Sequence, residues 1–459
     1  MNPEKKKTEE TIELCSPFIR EERTSSSSLQ ATPDETLKPI AKSCCSSKVS
    51  KCCAIVSVII GILLSLGVIL ELSYKTSDVG TTIFPFHQID GVYTFRIPLL
   101  LNIDNSEVIL AFAEGRNNPN DDAGPKNLAW RRSIDMGETW TEIDFLFSDP
   151  QSDPHYDGAN FGAAVYDKVT DEVFVQFLVG AHTNQDMAKH YLIKSADRGL
   201  TWEAPFSIDG IFSNTDIGVF AGGPASGIQL EERAGISRLI MSGHTNKRPT
   251  GPPEDSGVAV IYSDDHGLNW NVGGEILFAG EMGPDECQLA QLSDGRLIMN
   301  MRDRNNEMSD CHCRLQAYSN DDGNSWGDMS YATDLIEPRC QGSIINDSSE
   351  NTLYFSNPRS TKSRRNGWLM KSTDNGNNYE EVIQIDEKDY GYSEINLLPD
   401  GKILVIYEST TACNIKQFFS SMVFQCWIQG YARILPSKFI SNSIRIATID
   451  TVEDTVMEN

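Results

Sequence analysis

Ser133-Ile134-Asp135-Met136-Gly137-Glu138-Thr139-Trp140 is the first of five copies of one short pattern. The others are SADRGLTW (Ser195 to Trp202), SDDHGLNW (Ser263 to Trp270), SNDDGNSW (Ser319 to Trp326) and STDNGNNY (Ser372 to Tyr379). Each reads Ser-x-Asp-x-Gly-x-x-aromatic, and their starts lie 62, 68, 56 and 53 residues apart. A motif at a near-constant period marks a chain that repeats one supersecondary unit. The Asp-x-Gly core has turn chemistry: the short carboxylate bonds nearby backbone and glycine supplies a positive φ. Apolar residues alternate before the turn and an aromatic follows it, as in a hairpin whose aromatic packs between sheets. A period of this length suits a four-stranded blade, and Phe84 to Leu435 leaves room for six. The expected architecture is therefore all-β, a six-bladed β-propeller with Asp-box hairpins. Only five boxes are legible, so the sixth blade rests on length. Radial closure leaves a central funnel, into which several blades should contribute functional side chains.

The 459 residues carry a net charge of −26. Residues 1–51 hold nine Lys/Arg against eight Asp/Glu, so about −27 falls on the remainder. Such a surface disfavours nucleic acid and anionic membranes as partners. An acidic ligand would need a local concentration of cations. Residues 52–72, CCAIVSVIIGILLSLGVILEL, are apolar or small until Glu71. At about 1.5 Å per residue this run just crosses a hydrocarbon layer of roughly 30 Å. Lys42, Lys48 and Lys51 precede it, so the positive-inside rule places residues 1–51 in the cytoplasm and the large domain outside or in a lumen. A 51-residue leader is too long for an ordinary cleaved signal peptide. The expected organisation is a disordered cytoplasmic tail (1–51), a transmembrane signal-anchor helix (52–72), a linker (73–83), the propeller (84–435) and a C-terminal tail (436–459).

Eleven cysteines fall into two groups. Cys15, Cys44, Cys45, Cys52 and Cys53 precede or begin the apolar run, and the last four stand where palmitoylation or simple tolerance of small residues would both fit. Cys287, Cys311, Cys313, Cys340, Cys413 and Cys426 lie in the extracytoplasmic part, as disulfides or as buried thiols. Cys311-His312-Cys313 lacks a second ligand pair at metal-site spacing. No metal or cofactor is expected. Asn346-Asp347-Ser348 is a glycosylation sequon.

Between the boxes lie Tyr93-Thr94-Phe95-Arg96-Ile97-Pro98 and Ala111 to Arg116, AFAEGR. Here the chain resembles the sialidases (exo-α-neuraminidases), whose signature pairs a Phe/Tyr-Arg-Ile-Pro motif with repeated Asp boxes. PNDDAGPKNLAWRRS, VFAGGPASGIQ, GPDECQ, NMRDRNNEMSDCHCR, YFSNP, GYSEI and IYEST look most like the animal lysosomal branch. The resemblance covers Phe84 to Leu435. It implies an arginine triad for the substrate carboxylate, matched by Arg96, Arg302 and Arg364. Arg359, Arg364 and Arg365 share one loop, and the choice between Arg364 and Arg365 stays open. A guanidinium grips a carboxylate in bidentate fashion, which an ammonium cannot reproduce. Glu408 matches the glutamate that braces the first arginine, and Arg116 a further substrate-contacting arginine. Tyr392 matches the family's tyrosine nucleophile and Glu286 its paired base. Sialidases use tyrosine where most glycosidases use a carboxylate, and a neutral phenol avoids repulsion by the substrate's own carboxylate. Asp122, rather than its neighbour Asp121, matches the acid/base.

The resemblance thus implies retaining hydrolysis of terminal sialic acids from glycoproteins, glycolipids or oligosaccharides. The alternatives are a trans-sialidase or a catalytically silent sialic-acid-binding propeller. The localisation it implies is that of a single-pass type II membrane protein of lysosome, plasma membrane or Golgi.

Overall fold

Each Asp box folds into the same closed knot of hydrogen bonds. In the first, Ser133 Oγ donates to Asp135 Oδ1 at 2.7 Å and accepts from Gly137 N at 2.9 Å. Asp135 in turn accepts from the backbone and hydroxyl of Thr139. The pattern recurs at Ser195, Ser263, Ser319 and Ser372. Two consecutive residues take positive φ in every box, the glycine and the residue before it. The motif's first variable position is followed by one under backbone constraint that its sequence does not display: Met136, Arg198, His266, Asp322 and Asn375 all adopt it.

The computed structural model of the chain describes residues 81–449, except 86–90, 104–105, 118–121, 150–157, 183–187, 233–234, 249–254 and 410–442. Six sheets make up the fold of these described residues, antiparallel throughout except where Ala225–Ser226 joins Ala159–Asp167 in parallel. Blade 1 begins with Thr94–Asn102, blade 2 with Ala159–Asp167, blade 4 with Pro284–Gln291, blade 5 with Ser343–Asp347 and blade 6 with Ser393–Leu397. Blade 3 is irregular at its inner edge: Ile217–Gly222 and Ile228–Gln229 both pair with Leu239–Lys247, while Ala225–Ser226 between them adds to the first strand of blade 2. The inner strands touch one another in a closed ring. The fold is a six-bladed β-propeller.

Five boxes serve six blades for a topological reason. Every box closes the hairpin between the third and fourth strands of its blade. In blade 6 the third strand is Ser443–Ile449 and the fourth is Thr81–Phe84, from the other end of the domain. No hairpin joins them, so there is no turn for a sixth box to close. The propeller therefore extends past the 84–435 limits read from sequence, because ring closure needs both Thr81–Phe84 and Ser443–Ile449.

The box aromatics fill the seams between blades. Trp140 packs in the cluster between blades 6 and 1, Trp202 between 1 and 2, and Trp270 between 2 and 3. Trp326 and Tyr379 do the same at the next two seams. At the seam between blades 5 and 6, Tyr390 stacks on Tyr407 with ring centroids 4.7 Å apart. Tyr390 does there what a box aromatic does elsewhere.

Cys311 and Cys313 form a disulfide, and Cys287 and Cys340 are buried thiols. Asn346 lies in the first strand of blade 5, half-buried, rather than on a loop. The expected tail, the 52–72 span and the linker up to residue 80 lie outside the described residues, as do Cys413 and Cys426. Among the described residues no helix is long and apolar enough to cross a membrane.

Candidate active site

Tyr392, Arg96 and Glu286 all stand where an inner strand begins, at the end of the propeller opposite the boxes. Arg96 is aimed by a local irregularity. Its neighbour Ile97 has φ 57°, and the pairing register with the second strand shifts between Arg96 and Leu99. A β-branched residue in the left-handed region costs on the order of 1–3 kcal/mol and persists only where surroundings hold it. Glu408 supplies that hold. One of its oxygens accepts from Arg96 Nε at 2.6 Å and from Ile97 N at 2.9 Å.

Glu408 also ties Arg96 to Tyr392. Gly391 N donates to Glu408 O, and Glu408 N donates to Tyr392 O. A Cβ at Gly391 would stand 2.6 Å from Glu408 Oε2 and 3.0 Å from its Cβ, so only glycine permits this approach. Burial alone would raise the Glu408 carboxyl. Arg96 and then Arg364 outweigh it and hold the group below its usual range.

The phenol of Tyr392 donates to Glu286 Oε1. Arg302 Nη1 donates to Glu286 Oε2 at 2.7 Å and to the Tyr392 oxygen at 3.2 Å. The guanidinium carbons of Arg364 and Arg96 lie 4.8 and 5.3 Å from the Tyr392 ring centroid. Three arginines from blades 1, 4 and 5 thus surround one phenol from blade 6. Burial, followed by the negative charge of Glu286, pushes the Tyr392 phenol well above its ordinary pKa. It is a neutral hydrogen-bond donor at rest.

Asp122 sits at the rim with its side chain 64% exposed and pairs with Arg116 Nη1. Burial acts to raise this carboxyl, but Arg116 and then Arg96 bring it below the ordinary aspartate value. Asp121 lies outside the described residues.

The neighbouring candidates point elsewhere. Arg304 pairs with Asp285 at 3.1 Å. Arg359 pairs with Glu381 at 2.9 Å, and Arg365 is exposed. Tyr390 is wholly buried, with its hydroxyl on Ser356 Oγ. Among the described residues no cluster of His, Cys, Asp or Glu has the makings of a metal site.

Three supporting groups escaped sequence reading. Glu114, inside AFAEGR, accepts from Arg116 Nε at 3.0 Å and from Phe161 N at 2.9 Å, so it fixes Arg116 to blade 2. Buried Glu337 accepts from Asp303 N, Arg314 Nη1 and Cys340 N, at 2.7, 2.8 and 3.3 Å. It thereby secures the residue after Arg302 and the one after Arg339, whose carbonyl accepts from Arg364. Glu394, two residues after Tyr392 on the first strand of blade 6, is wholly buried. Its Oε1 accepts from Ser226 N and Gln288 Nε2, each at 2.9 Å, and from Ser226 Oγ. No local motif announces contacts 168 and 106 residues apart.

Burial pushes Glu394 up to about 8. The folded protein holds a proton there that an unfolded chain, with an ordinary glutamate near 4.3, would release. Its contribution to stability is complete below the unfolded value and is lost as pH rises from about 4.3 through 8. The expected result is a higher melting temperature at pH 5 than at pH 8, measured calorimetrically. Glu394→Gln, which keeps an uncharged carbonyl, should narrow that difference.

A family model described as a BNR repeat-like domain matches residues 107–405. A curated sialidase of Micromonospora viridifaciens is 28% identical over 349 residues, covering 72% of this chain and 52% of that protein. This chain spans about half the length of that relative. Sialidase-2 of Mus musculus is 27% identical over 300 residues, covering 61% of this chain and 73% of the mouse protein. Among solved structures, the Hadza microbial sialidase Hz136 superposes with a TM-score of 0.62 at 25% identity, over 72% of this chain and 66% of that one.

Proposed function

The chain belongs to the BNR repeat-like domain family, and from that premise we propose that it is an exo-α-sialidase that removes terminal sialic acids with retention of configuration. One observation carries the reading: a phenol, Tyr392, bonded to a carboxylate, Glu286, inside a ring of three guanidiniums. A ring of cations around a nucleophile calls for an anionic substrate. A sialic acid bears its carboxylate on the anomeric carbon, which puts the charge beside the bond to be broken.

Arg96, Arg302 and Arg364 hold that carboxylate. Asp122 gives its proton to the glycosidic oxygen as the bond from that oxygen to the anomeric carbon breaks. The Tyr392 oxygen forms its bond to the same carbon and passes its proton to Glu286. A water then attacks the tyrosyl-linked sugar, Asp122 takes up the water's proton, and Glu286 returns the phenolic proton as the Tyr392 bond breaks. Glu408 and Arg116 keep Arg96 and Asp122 in place.

The resting charge of Asp122 has a kinetic consequence. Arg116 and Arg96 favour its carboxylate, whereas protonating a leaving group needs the acid. A substrate carboxylate on Arg96 offsets part of that positive potential, so the proton is taken up in the complex. Turnover of natural sialosides is therefore expected to rise as pH falls towards 4. Asp122→Asn should lower kcat/KM for natural sialosides, which reports the steps up to the first bond cleavage, by about 10²–10⁴-fold, while kcat/KM for an aryl α-sialoside, whose leaving group needs no proton, falls by less than about tenfold. Equal losses on both substrates would remove Asp122 from the acid role.

Glycoproteins, gangliosides and free oligosaccharides all present such sugars. Residues 52–72 are read as a signal anchor that leaves the propeller in a lumen or outside the cell, in lysosome, Golgi or plasma membrane. The deciding assay is release of sialic acid from a fluorogenic α-sialoside by the detergent-solubilised full chain. No release between pH 4 and 7 by folded protein would sink the hydrolase reading.

A further inference from the structure

The loop that carries Arg364 stands out by its charge. Residues 359–365, RSTKSRR, hold four cations and no acid in a chain of net charge −26. The loop joins Thr352–Pro358 to Arg365–Ser372, the second and third strands of blade 5, at the active-site end. Two of its cations are already engaged. Arg364 lies over the Tyr392 ring, and Arg359 pairs with Glu381 and donates to the Asp334 carbonyl at 2.6 Å. Lys362 and Arg365 are exposed, and among the described residues the side chain of neither has an ion pair or a hydrogen bond. Asp389 stands opposite Arg365 in the strand register without pairing with it. An unpaired guanidinium one residue from a substrate-binding one is placed to meet the same molecule.

Arg365 opens onto a depression of about 440 Å³, within the size range of small-ligand sites. Ser360, Thr361 and Asn366 line it too, and Glu387 reaches it from the outer strand of blade 5. The Glu387 carboxylate, like the Arg365 guanidinium, has no partner among the described residues. Two opposite charges therefore share one depression without pairing. The loop that forms its wall is pinned at both ends. Asn366 Nδ2 donates to the Arg359 carbonyl and Arg359 N to the Asn366 carbonyl, each at 2.8 Å. Asn366 Oδ1 accepts from Trp368 Nε1 and Gln384 Nε2. A wall held this way needs little ordering when a ligand arrives.

The two free charges select the occupant. A sulfate or phosphate would meet Arg365 but be repelled by Glu387. A neutral sugar would donate hydroxyls to Glu387 and leave Arg365 unused. An acidic sugar serves both, its carboxylate on the guanidinium and its hydroxyls on Glu387. Arg364 and Arg365 are consecutive, with Cα atoms about 3.8 Å apart. One side chain goes to the catalytic pocket and the next to the depression, so one ligand can touch both. We propose that the depression binds a second acidic sugar, joined directly to the terminal sialic acid, and that the chain thereby favours oligosialyl substrates over sialic acid on a neutral sugar. Lys362 adds longer-range attraction for such polyanions. The proposal rests on the sialidase reading and narrows its substrate class.

The test gives the detergent-solubilised full chain three substrates. They are a disialyl-lactose in which one sialic acid caps another, a monosialyl-lactose, and a fluorogenic aryl α-sialoside with no second sugar. The expected kcat/KM for the first is at least about tenfold that for the second, the worth of one hydrogen bond to a charged group. Arg365→Ala should abolish that preference and leave hydrolysis of the aryl sialoside unchanged. Glu387→Gln should weaken the preference. If Glu387→Gln strengthened it, the site would suit an anion without hydroxyl donors, and the acidic sugar would be overturned. Hydrolysis of all three without a preference for the disialyl substrate, or a preference that survives Arg365→Ala, would overturn the subsite alone. Failure to hydrolyse any of the three would sink the sialidase reading, and the subsite with it.

Discussion

Tyr392→Phe is expected to leave the propeller folded and able to bind sialic acid while lowering kcat by at least about 1,000-fold. The substitution removes one oxygen. That oxygen donates to Glu286, accepts from Arg302 and is the atom assigned to bond the anomeric carbon. The ring remains, so its packing near Arg96 and Arg364 survives. Substrate affinity, which depends on the guanidiniums, should change by less than about tenfold. The split between kcat and binding separates a nucleophile from a packing aromatic, which would affect stability and leave kcat largely intact. A 3-fluorosialyl fluoride, which slows the second step, should add its glycosyl mass to the unmodified chain on Tyr392 and add nothing to the variant. A label on Glu286 or on no residue would remove Tyr392 from the covalent step. The same substitution at Tyr390 offers a contrast. Its hydroxyl bonds Ser356 at a blade seam, so Tyr390→Phe should lower the melting temperature with little effect on kcat.

Arg302→Lys should reduce kcat/KM by about 10²–10³-fold, some 3–4 kcal/mol of transition-state stabilisation. Lysine keeps the charge, so a purely electrostatic role would survive the change. Arg302 does more than carry charge: one nitrogen spans Glu286 and Tyr392, and the fork must still meet a carboxylate. An ammonium on a shorter, flexible stem cannot serve all three groups. Leaving Glu286 buried without its ion pair would add the cost of an unmatched charge. Both KM and kcat should worsen, because the same side chain binds substrate and orients the nucleophile. Arg364→Ala should raise KM strongly, whereas Arg365→Ala, on an exposed side chain, should stay within about twofold. A larger loss at Arg365 than at Arg364 would reverse the assignment of the third arginine.

The two adjacent arginines show where sequence reading stops. Arg364 and Arg365 differ by one position on a loop, and no periodicity separates them. Only folding shows Arg364 over the Tyr392 ring and Arg365 directed to solvent. Tyr390 and Tyr392 pose the same problem two residues apart, and blade closure resolves it by placing Tyr390 in a seam. Asp122 was singled out from Asp121 by its short motif, and the structure pairs it with Arg116 at the rim. Glu114, Glu337 and Glu394 were not, because their partners come from other blades and nothing in their local sequence distinguishes them from surface acids.

Taken by itself, the sequence determined the repeat. An Asp-x-Gly turn is satisfied within eight residues, so its chemistry can be read locally, and its recurrence dictates blades. The motifs around Arg96, Arg302 and Tyr392 likewise named residue types suited to an anionic sugar. Tertiary structure decided the rest. It set why five boxes suffice, since the last blade joins strands from both ends of the domain and has no hairpin to close. It also set which side chains converge, since the site draws on blades 1, 4, 5 and 6 and exists only once the ring has closed.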